Sequence, residues 1–456
     1  MNLKKVYLLI IILFFSACFQ NLSNENQLQS TTTSLSATSN NTTLETEELV
    51  ASELVISENF DRYFQGVRVS EGIDFNIQVI SDFDNFNNEI VFLTALYEGK
   101  IFKYDLNTFK VEVFLDLSNV IIETVDKNNE MGLLSMELHP SLEYLLVAYV
   151  NKSMQLKVEQ YFLDIETLSI IDEKPVEILS IQYFDKVHFS GNLIYSDFYD
   201  GFIFSAGDGL SDDLGLRSDT LYSFINRGKI ILLLSKRNNE FTNPVISYTI
   251  TENKNIILAY GIRNPWGIGI SEDKLFIPDV GRSLYEEVTV LNLPSSSAYF
   301  LGYPIYEGPL ETDYKLNEIY QWSNEVRSSA EDYLLENYQH PTIFYKHTET
   351  ENGYRCAVIG GAVLNNFVND YWTNSFVFMD YCSKELFFYD YKEDNLIASS
   401  IEELKIDNYY ISKIAQFDNS RIIVLGFTYE VIEGQYIVNN KNFILTLPTY
   451  PIFINK

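Results

Sequence analysis

The 456-residue chain predicts an all-β fold in which small sheets repeat around an axis. Three observations carry that expectation. Aromatic residues reach 15%, with 32 Tyr and 32 Phe, and aromatic side chains favour strands. From residue 60 onward, apolar runs of five to eight residues recur, broken by Gly, Asn, Asp or Ser. No composition break divides that stretch, although a single core usually stops growing near about 250–300 residues. Radial repetition reconciles the two, because neighbouring sheets share core and expose only short edges. Tandem β-sandwiches are the alternative on pattern alone.

The elements follow in chain order. Lys4 and Lys5 precede an apolar run from Val6 to Phe15, too short for a bilayer core but suited to a secretory signal. Phe15-Ser-Ala-Cys18 resembles a bacterial lipobox, so residues 1–17 are expected to be cleaved and Cys18 lipidated. Residues 18–58, rich in Ser, Thr, Asn and Gln, cannot repay the entropy of ordering and read as a disordered tether. Residues 59–456 hold the repeated strands. Ile90–Leu96, Lys100–Leu106 and Lys110–Leu117 form a meander, with Glu98-Gly99 and Asn107-Thr108 at the turns. Similar units recur at Leu193–Ala206, Lys274–Leu293, Ser375–Tyr391 and Ile422–Leu447, whereas Glu325–Tyr338 is the best helical candidate.

Charge narrows the function. With 32 basic and 63 acidic residues the chain carries −31, which argues against nucleic acid and anionic lipid as broad partners. The membrane enters only through the N-terminal anchor, so the domain is expected outside the cytoplasm, in the bacterial periplasm or cell envelope. No HExxH, GxSxG or phosphate-binding glycine loop occurs.

Four places could carry chemistry. His188, in Val187-His-Phe-Ser-Gly-Asn-Leu193, is either a packed turn residue or a general base, for which imidazole is suited near neutral pH. Tyr260-Gly-Ile-Arg-Asn-Pro-Trp-Gly267 presents Arg263 and Asn264, either to an anionic ligand or as turn and surface residues. Acidic loops at Gly207-Asp208-Gly209 and Gly281-Arg282, the latter followed by Glu286-Glu287, offer calcium-type oxygen ligands or solvated carboxylates. Cys356 and Cys382 are expected to pair, as leftover cysteines of exported proteins commonly do.

Taken together these phrases resemble the glucose/sorbosone dehydrogenase family, which includes soluble quinoprotein glucose dehydrogenase and aldose sugar dehydrogenases; the propeller of hedgehog-interacting protein is similar. Gly132-Leu-Leu-Ser-Met-Glu-Leu-His-Pro140, Val187–Leu193, Phe204-Ser-Ala-Gly-Asp-Gly209 and Tyr260–Gly267 match in order. Asp279-Val-Gly281, Gly302-Tyr-Pro304, Gly360-Gly361 and Asp380-Tyr-Cys-Ser383 continue the order. The resemblance implies a six-bladed propeller of four-stranded antiparallel blades that oxidises an aldose or related sugar at a central pyrroloquinoline quinone and calcium.

In that reading His188 takes a proton at C1 while hydride passes to the quinone, and Arg263 polarises the quinone oxygen. Asn264, Glu130 and Asp208 contact the cofactor, Gly281 and Arg282 seat its calcium, and Glu286 and Glu287 bind a second, structural calcium. The sugar is the small-molecule partner; the electron acceptor is not specified. Several departures stand against this. Asn365 stands where the family has a cofactor lysine, Lys384-Glu-Leu-Phe-Phe-Tyr389 lacks arginines found there, and Val187 and Asn192 replace an acid and an arginine. Lys186, Arg217, Arg227 and Arg355 are the remaining basic residues that could converge on the site. Without such cations, the alternative is a cofactor-less propeller that binds a glycan or protein partner.

Overall fold

The computed structural model describes residues 54–56, 62–122, 130–171, 174–209, 226–234, 236–237, 240–241, 256–295, 297–312, 334, 337–406, 408–432 and 435–454. Among the described residues, six sheets of four to six strands are arranged as the blades of a propeller, with three two-stranded hairpins besides. Blade 1 is Ile80–Asn85, Ile90–Ala95, Lys100–Asp105 and Val111–Asp116, the predicted meander. Blade 2 begins at Leu133–Leu138, blade 3 at Ser190–Ser196, blade 4 at Gly269–Ser271, blade 5 at Val358–Leu364 and blade 6 at Tyr410–Gln416. Each of these six first strands lies beside the first strand of the next blade, so together they ring the axis. Within each blade the first four strands run antiparallel.

The pattern of the sequence explains the layering. Second strands such as Tyr144–Val150, Gly201–Ala206 and Ser375–Asp380 are buried on both faces, because adjoining blades cover both. Phe276 of blade 4 stacks on Phe376 of blade 5, ring centroids 4.8 Å apart, and Trp372 is fully buried beside Phe64 and Phe388. Each such side chain stabilises the fold by roughly 1.5–3 kcal/mol through burial.

The ring closes through the N-terminal segment. Arg68–Glu71 is the outermost strand of blade 6, pairing with Phe443–Thr446, while Tyr63–Gln65 lies between Asn395–Ser400 and Ile452–Ile454 on blade 5. Blades 2 to 5 carry edge strands beyond the expected four. The tether boundary at residue 58 is corrected: Leu54–Ile56 pairs in parallel with Ile343–Tyr345 of blade 4, as its β-branched, apolar residues allow. Of the helical candidate Glu325–Tyr338, only Leu334, Asn337 and Tyr338 lie within the described residues. The signal segment and Cys18 lie outside them. No helix among the described residues is long and apolar enough to cross a membrane.

Candidate active site

The loops entering the first strands, and those joining second to third strands, share one face of the propeller. Blade 3 supplies His188 from the former and Asp208 from the latter. His188 has φ +57° and Ser190 φ +57°, and the pairing register shifts between Ser190 and Leu193. This bulge re-aims the imidazole out of the strand pleat. Gly207 is required opposite it, since a Cβ there would overlap the His188 carbonyl oxygen.

The imidazole Nδ1 lies 2.7 Å from Asp208 Oδ1, with His188 3% exposed and Asp208 fully buried. A carboxylate at Nδ1 fixes the proton there and leaves Nε2 to accept another. Glu130 lies against the same loop, its Oε2 accepting the Phe189 N–H at 3.3 Å. Burial raises the Glu130 carboxyl, while His188 and Arg263 act in the opposite direction.

Arg263 and Asn264 come from the loop entering blade 4. Both backbone N–H groups donate to Asp279, at 2.9 and 2.7 Å, and the Asp208 N–H donates to the Arg263 carbonyl at 2.7 Å. These bonds lock the Arg263–Asn264 loop to the Gly207–Asp208 loop. Burial pushes Asp279 up to about 7 against the pull of those two N–H donors. Arg263 Nη1 donates to the carbonyls of Val280 and Gly281, at 3.0 and 2.9 Å. The Asn264 side chain is fully buried, and neither its Oδ1 nor its Nδ2 has a hydrogen-bond partner among the described residues. A buried amide without partners costs on the order of 1–3 kcal/mol, so it calls for a polar ligand.

The structure thus brings together His188, Asp208, Glu130, Arg263 and Asn264. Asp208, expected at the cofactor, also meets His188, and so places a carboxylate beside the imidazole where Val187 offers none. Arg227 is one further buried cation: it is 5% exposed, packs over Phe184 at 4.9 Å, and acts electrostatically on Tyr183, whose hydroxyl donates to the Gly207 carbonyl. Its position follows from long-range pairing of blade 3, which no local sequence signal reports. Lys186 contributes its carbonyl to the Glu130 N–H, at 3.4 Å. Arg217 lies outside the described residues. Arg355 is fully buried with Glu385 in blade 5, Nε to Oε2 2.6 Å and Nη2 to Oε1 2.9 Å.

The calcium residues are engaged otherwise. The Gly281 carbonyl accepts from Arg263, and Arg282 follows on a partly exposed turn. Glu286 and Glu287 are successive strand residues and face opposite sides of the sheet. Glu286 Oε1 lies 2.5 Å from His347 Nε2, and its Oε2 accepts the Val358 and Gly281 N–H groups at 2.8 and 3.3 Å. Glu287 accepts the Gly308 N–H, and burial together with Asp279 raises it well above the usual carboxylate range. Among the described residues no group of three or more His, Cys, Asp or Glu is placed to hold a metal. The Gly281 carbonyl is thus taken by Arg263, and Glu286 and Glu287 do not form a pair of ligands on one side of the sheet.

The donor chemistry of the Arg263 guanidinium and of the Asn264 amide, the latter without partners among the described residues, fits the oxygens of a quinone, and Arg263 and His188 both act on Glu130. Among the described residues, Lys229 and Lys384 are further buried cations at the second-to-third strand loops of this face, Lys384 lying 4.5 Å over the Tyr381 ring. Asn365 stands at the opposite end of the channel, hydrogen-bonded to Ser271 at 3.0 Å, in a cavity of about 600 Å³ that also holds Asp82, Asp84 and Glu137. A lysine at 365 would face that cavity and not His188. The expected pairing of Cys356 with Cys382 is present as a disulfide.

No family model matches the chain. Solved structures do. The PQQ-bound form of aldose sugar dehydrogenase from Streptomyces coelicolor aligns at TM-score 0.56 and 14% identity, over 83% of this chain and 98% of that one. The apo-form of the soluble aldose sugar dehydrogenase from Escherichia coli aligns at 0.57 and 15%, over 84% and 99%. A glucose dehydrogenase aligns at 0.58 and 13%, over 84% and 100%. At these identities the likeness is one of architecture: the chain has the six-bladed propeller fold of the glucose/sorbosone dehydrogenases.

Proposed function

We propose that the protein is a quinoprotein dehydrogenase that oxidises an aldose or a related sugar alcohol. One observation carries the reading: on one face, a carboxylate-held histidine stands with a buried arginine and a buried amide that has no partner. His188, oriented by Asp208, takes the sugar hydroxyl proton at Nε2. Arg263 and Asn264 hold and polarise the oxygen of the acceptor. Pyrroloquinoline quinone, bound at these two residues, would supply the hydride acceptor. Burial of all four groups keeps water from the proton-transfer step. Export and anchoring through Cys18 go with this reading and rest on the sequence.

The second reading, a cofactor-less propeller that recognises a glycan or protein, is favoured by one finding. Arg355 is neutralised by Glu385, which removes one cation that a trianionic ligand could use. Dye-linked oxidation of an aldose panel by protein reconstituted with pyrroloquinoline quinone separates the two. His188→Ala should lower turnover by about 10²-fold or more and leave cofactor affinity intact. Wild-type turnover in that variant would remove His188 from the chemistry.

A further inference from the structure

Blade 1 ends on an open edge. Among the described residues, blades 2 to 5 carry strands beyond the fourth and blade 6 is finished by Arg68–Glu71, whereas blade 1 stops at Val111–Asp116. The Asp105 N–H donates to the Lys110 carbonyl at 2.9 Å, so strand alternation turns the N–H and C=O of Val111 away from the blade. Val113 follows suit, since Val111 and Val113 lie opposite Tyr104 and Phe102 of the third strand. Unpaired backbone groups along an edge are a template for another strand. The side chains favour one too. Phe109, Val111 and Val113 are 67%, 47% and 51% exposed, and Ile165 and Ile171 on the adjoining edge of blade 2 are exposed as well.

Charge decides which partner fits. The chain carries −31, so a second copy is repelled over most of the surface. The outer hairpin of blade 1 is an exception, because Lys100, Lys103 and Lys110 balance Asp105, Glu112 and Asp116. The edge is also self-complementary. Two copies laid antiparallel about Val111 set Val111 against Val111, Lys110 against Glu112 twice, and Phe109 against Val113 twice. Within one chain Glu112 lies 3.1 Å from Lys103 and 3.4 Å from Lys110. Pairing lets it keep Lys103 while it receives Lys110 of the second copy. Opposed charges and facing apolar side chains are the pairs that stabilise antiparallel strands, and a twofold axis repeats each of them. Phe114, which the pairing with Ile101 and Phe102 skips, lies beyond this register and does not interrupt it.

We infer that the outer strand of blade 1 pairs antiparallel with its counterpart in a second copy, giving a twofold dimer joined through one continuous sheet. The inference is independent of the dehydrogenase reading. Analytical ultracentrifugation of the purified protein tests it, from low micromolar to about 100 µM, a range suited to a small interface. The parent should reach twice the monomer mass. Lys110→Glu brings two acidic groups together at each charge pair, and Glu112→Lys brings two basic ones. Each should weaken dimerisation about tenfold or more. The Lys110 side chain is 72% exposed, so replacing it does not test folding instead. An equimolar mixture of the two variants should dimerise again, because every facing pair is then opposite in sign. Val111→Asp, which sets two carboxylates face to face on the axis, should leave monomer with a melting temperature equal to the parent's. A parent that stays monomeric throughout, a Lys110→Glu or Val111→Asp chain that dimerises like the parent, or a mixture of the folded charge variants that stays monomeric would overturn the inference.

Discussion

His188 combines a backbone conformation uncommon outside glycine with nearly complete burial, and both follow from the bulge that points it at Asp208. Such strain persists where the surroundings enforce it, and here they are Gly207 and the locked Arg263–Asn264 loop. Asp208→Asn keeps the shape but removes the acceptor that fixes the Nδ1 proton. Turnover in the reconstituted enzyme should therefore fall by at least about 10²-fold with KM little changed, as steady-state kinetics can check. Residue chemistry left His188, Arg263 and Asn264 open between turn residues and ligand contacts, and only the order of phrases in the family resemblance grouped them. The role of Asp208 was not legible, because a contact between residues 20 apart in different loops leaves no trace in either phrase. Glu286 misleads for a similar reason: its partner His347 is 61 residues away, and an acidic pair in a strand looks like a ligand pair until the strand alternation separates it.

At the scale of elements, two features fasten blade 5. The disulfide between Cys356 and Cys382 closes a loop of 26 residues, and replacing both by Ser should cost about 3 kcal/mol in chemical denaturation on the chain-entropy view. Beside it, Glu385 receives Arg355, Ser383 and, from the N-terminal strand, Tyr63. Burial would raise Glu385, but the Arg355 hydrogen bonds and charge outweigh it and hold the carboxylate low. Glu385→Gln strands a buried guanidinium and should destabilise by about 3–5 kcal/mol. The same denaturation curves test this, and a midpoint equal to the parent's would show that the pair is not fastening the blade. The strands themselves were plain in the sequence, since apolar runs and turn residues are local. The reach of the blade 6 hairpin to Ile432 and Gln435 was not, because Ile422–Leu447 reads as one more hairpin until its pairing with Tyr410 is known to stop early.

Across the whole molecule, the β class and repetition were legible, but the blade number was open on pattern alone. The closure at Arg68–Glu71 was hidden as well, since its partners lie some 370 residues away. The distribution of buried carboxyls sets the pH response. Asp84 is pushed up to about 7 by burial and then by Asp82, Asp279 to about 7 by burial, and Glu137 and Glu287 are raised in the same sense. Between about pH 4 and 7 the folded state therefore binds more protons than the unfolded chain, and stability falls as pH rises. His347, raised by Glu286 against its own burial, adds stability below the ordinary histidine range that is lost as pH climbs through its folded value. Melting temperature should thus be higher at pH 5 than at pH 7.5, and a flat or rising profile would contradict these assignments.

The dehydrogenase reading stands or falls on the cofactor. Calorimetric titration of the domain with pyrroloquinoline quinone, with and without calcium, should give binding at micromolar or tighter, about −8 kcal/mol or better. No detectable binding under either condition at ten times that concentration would contradict it and leave a recognition propeller.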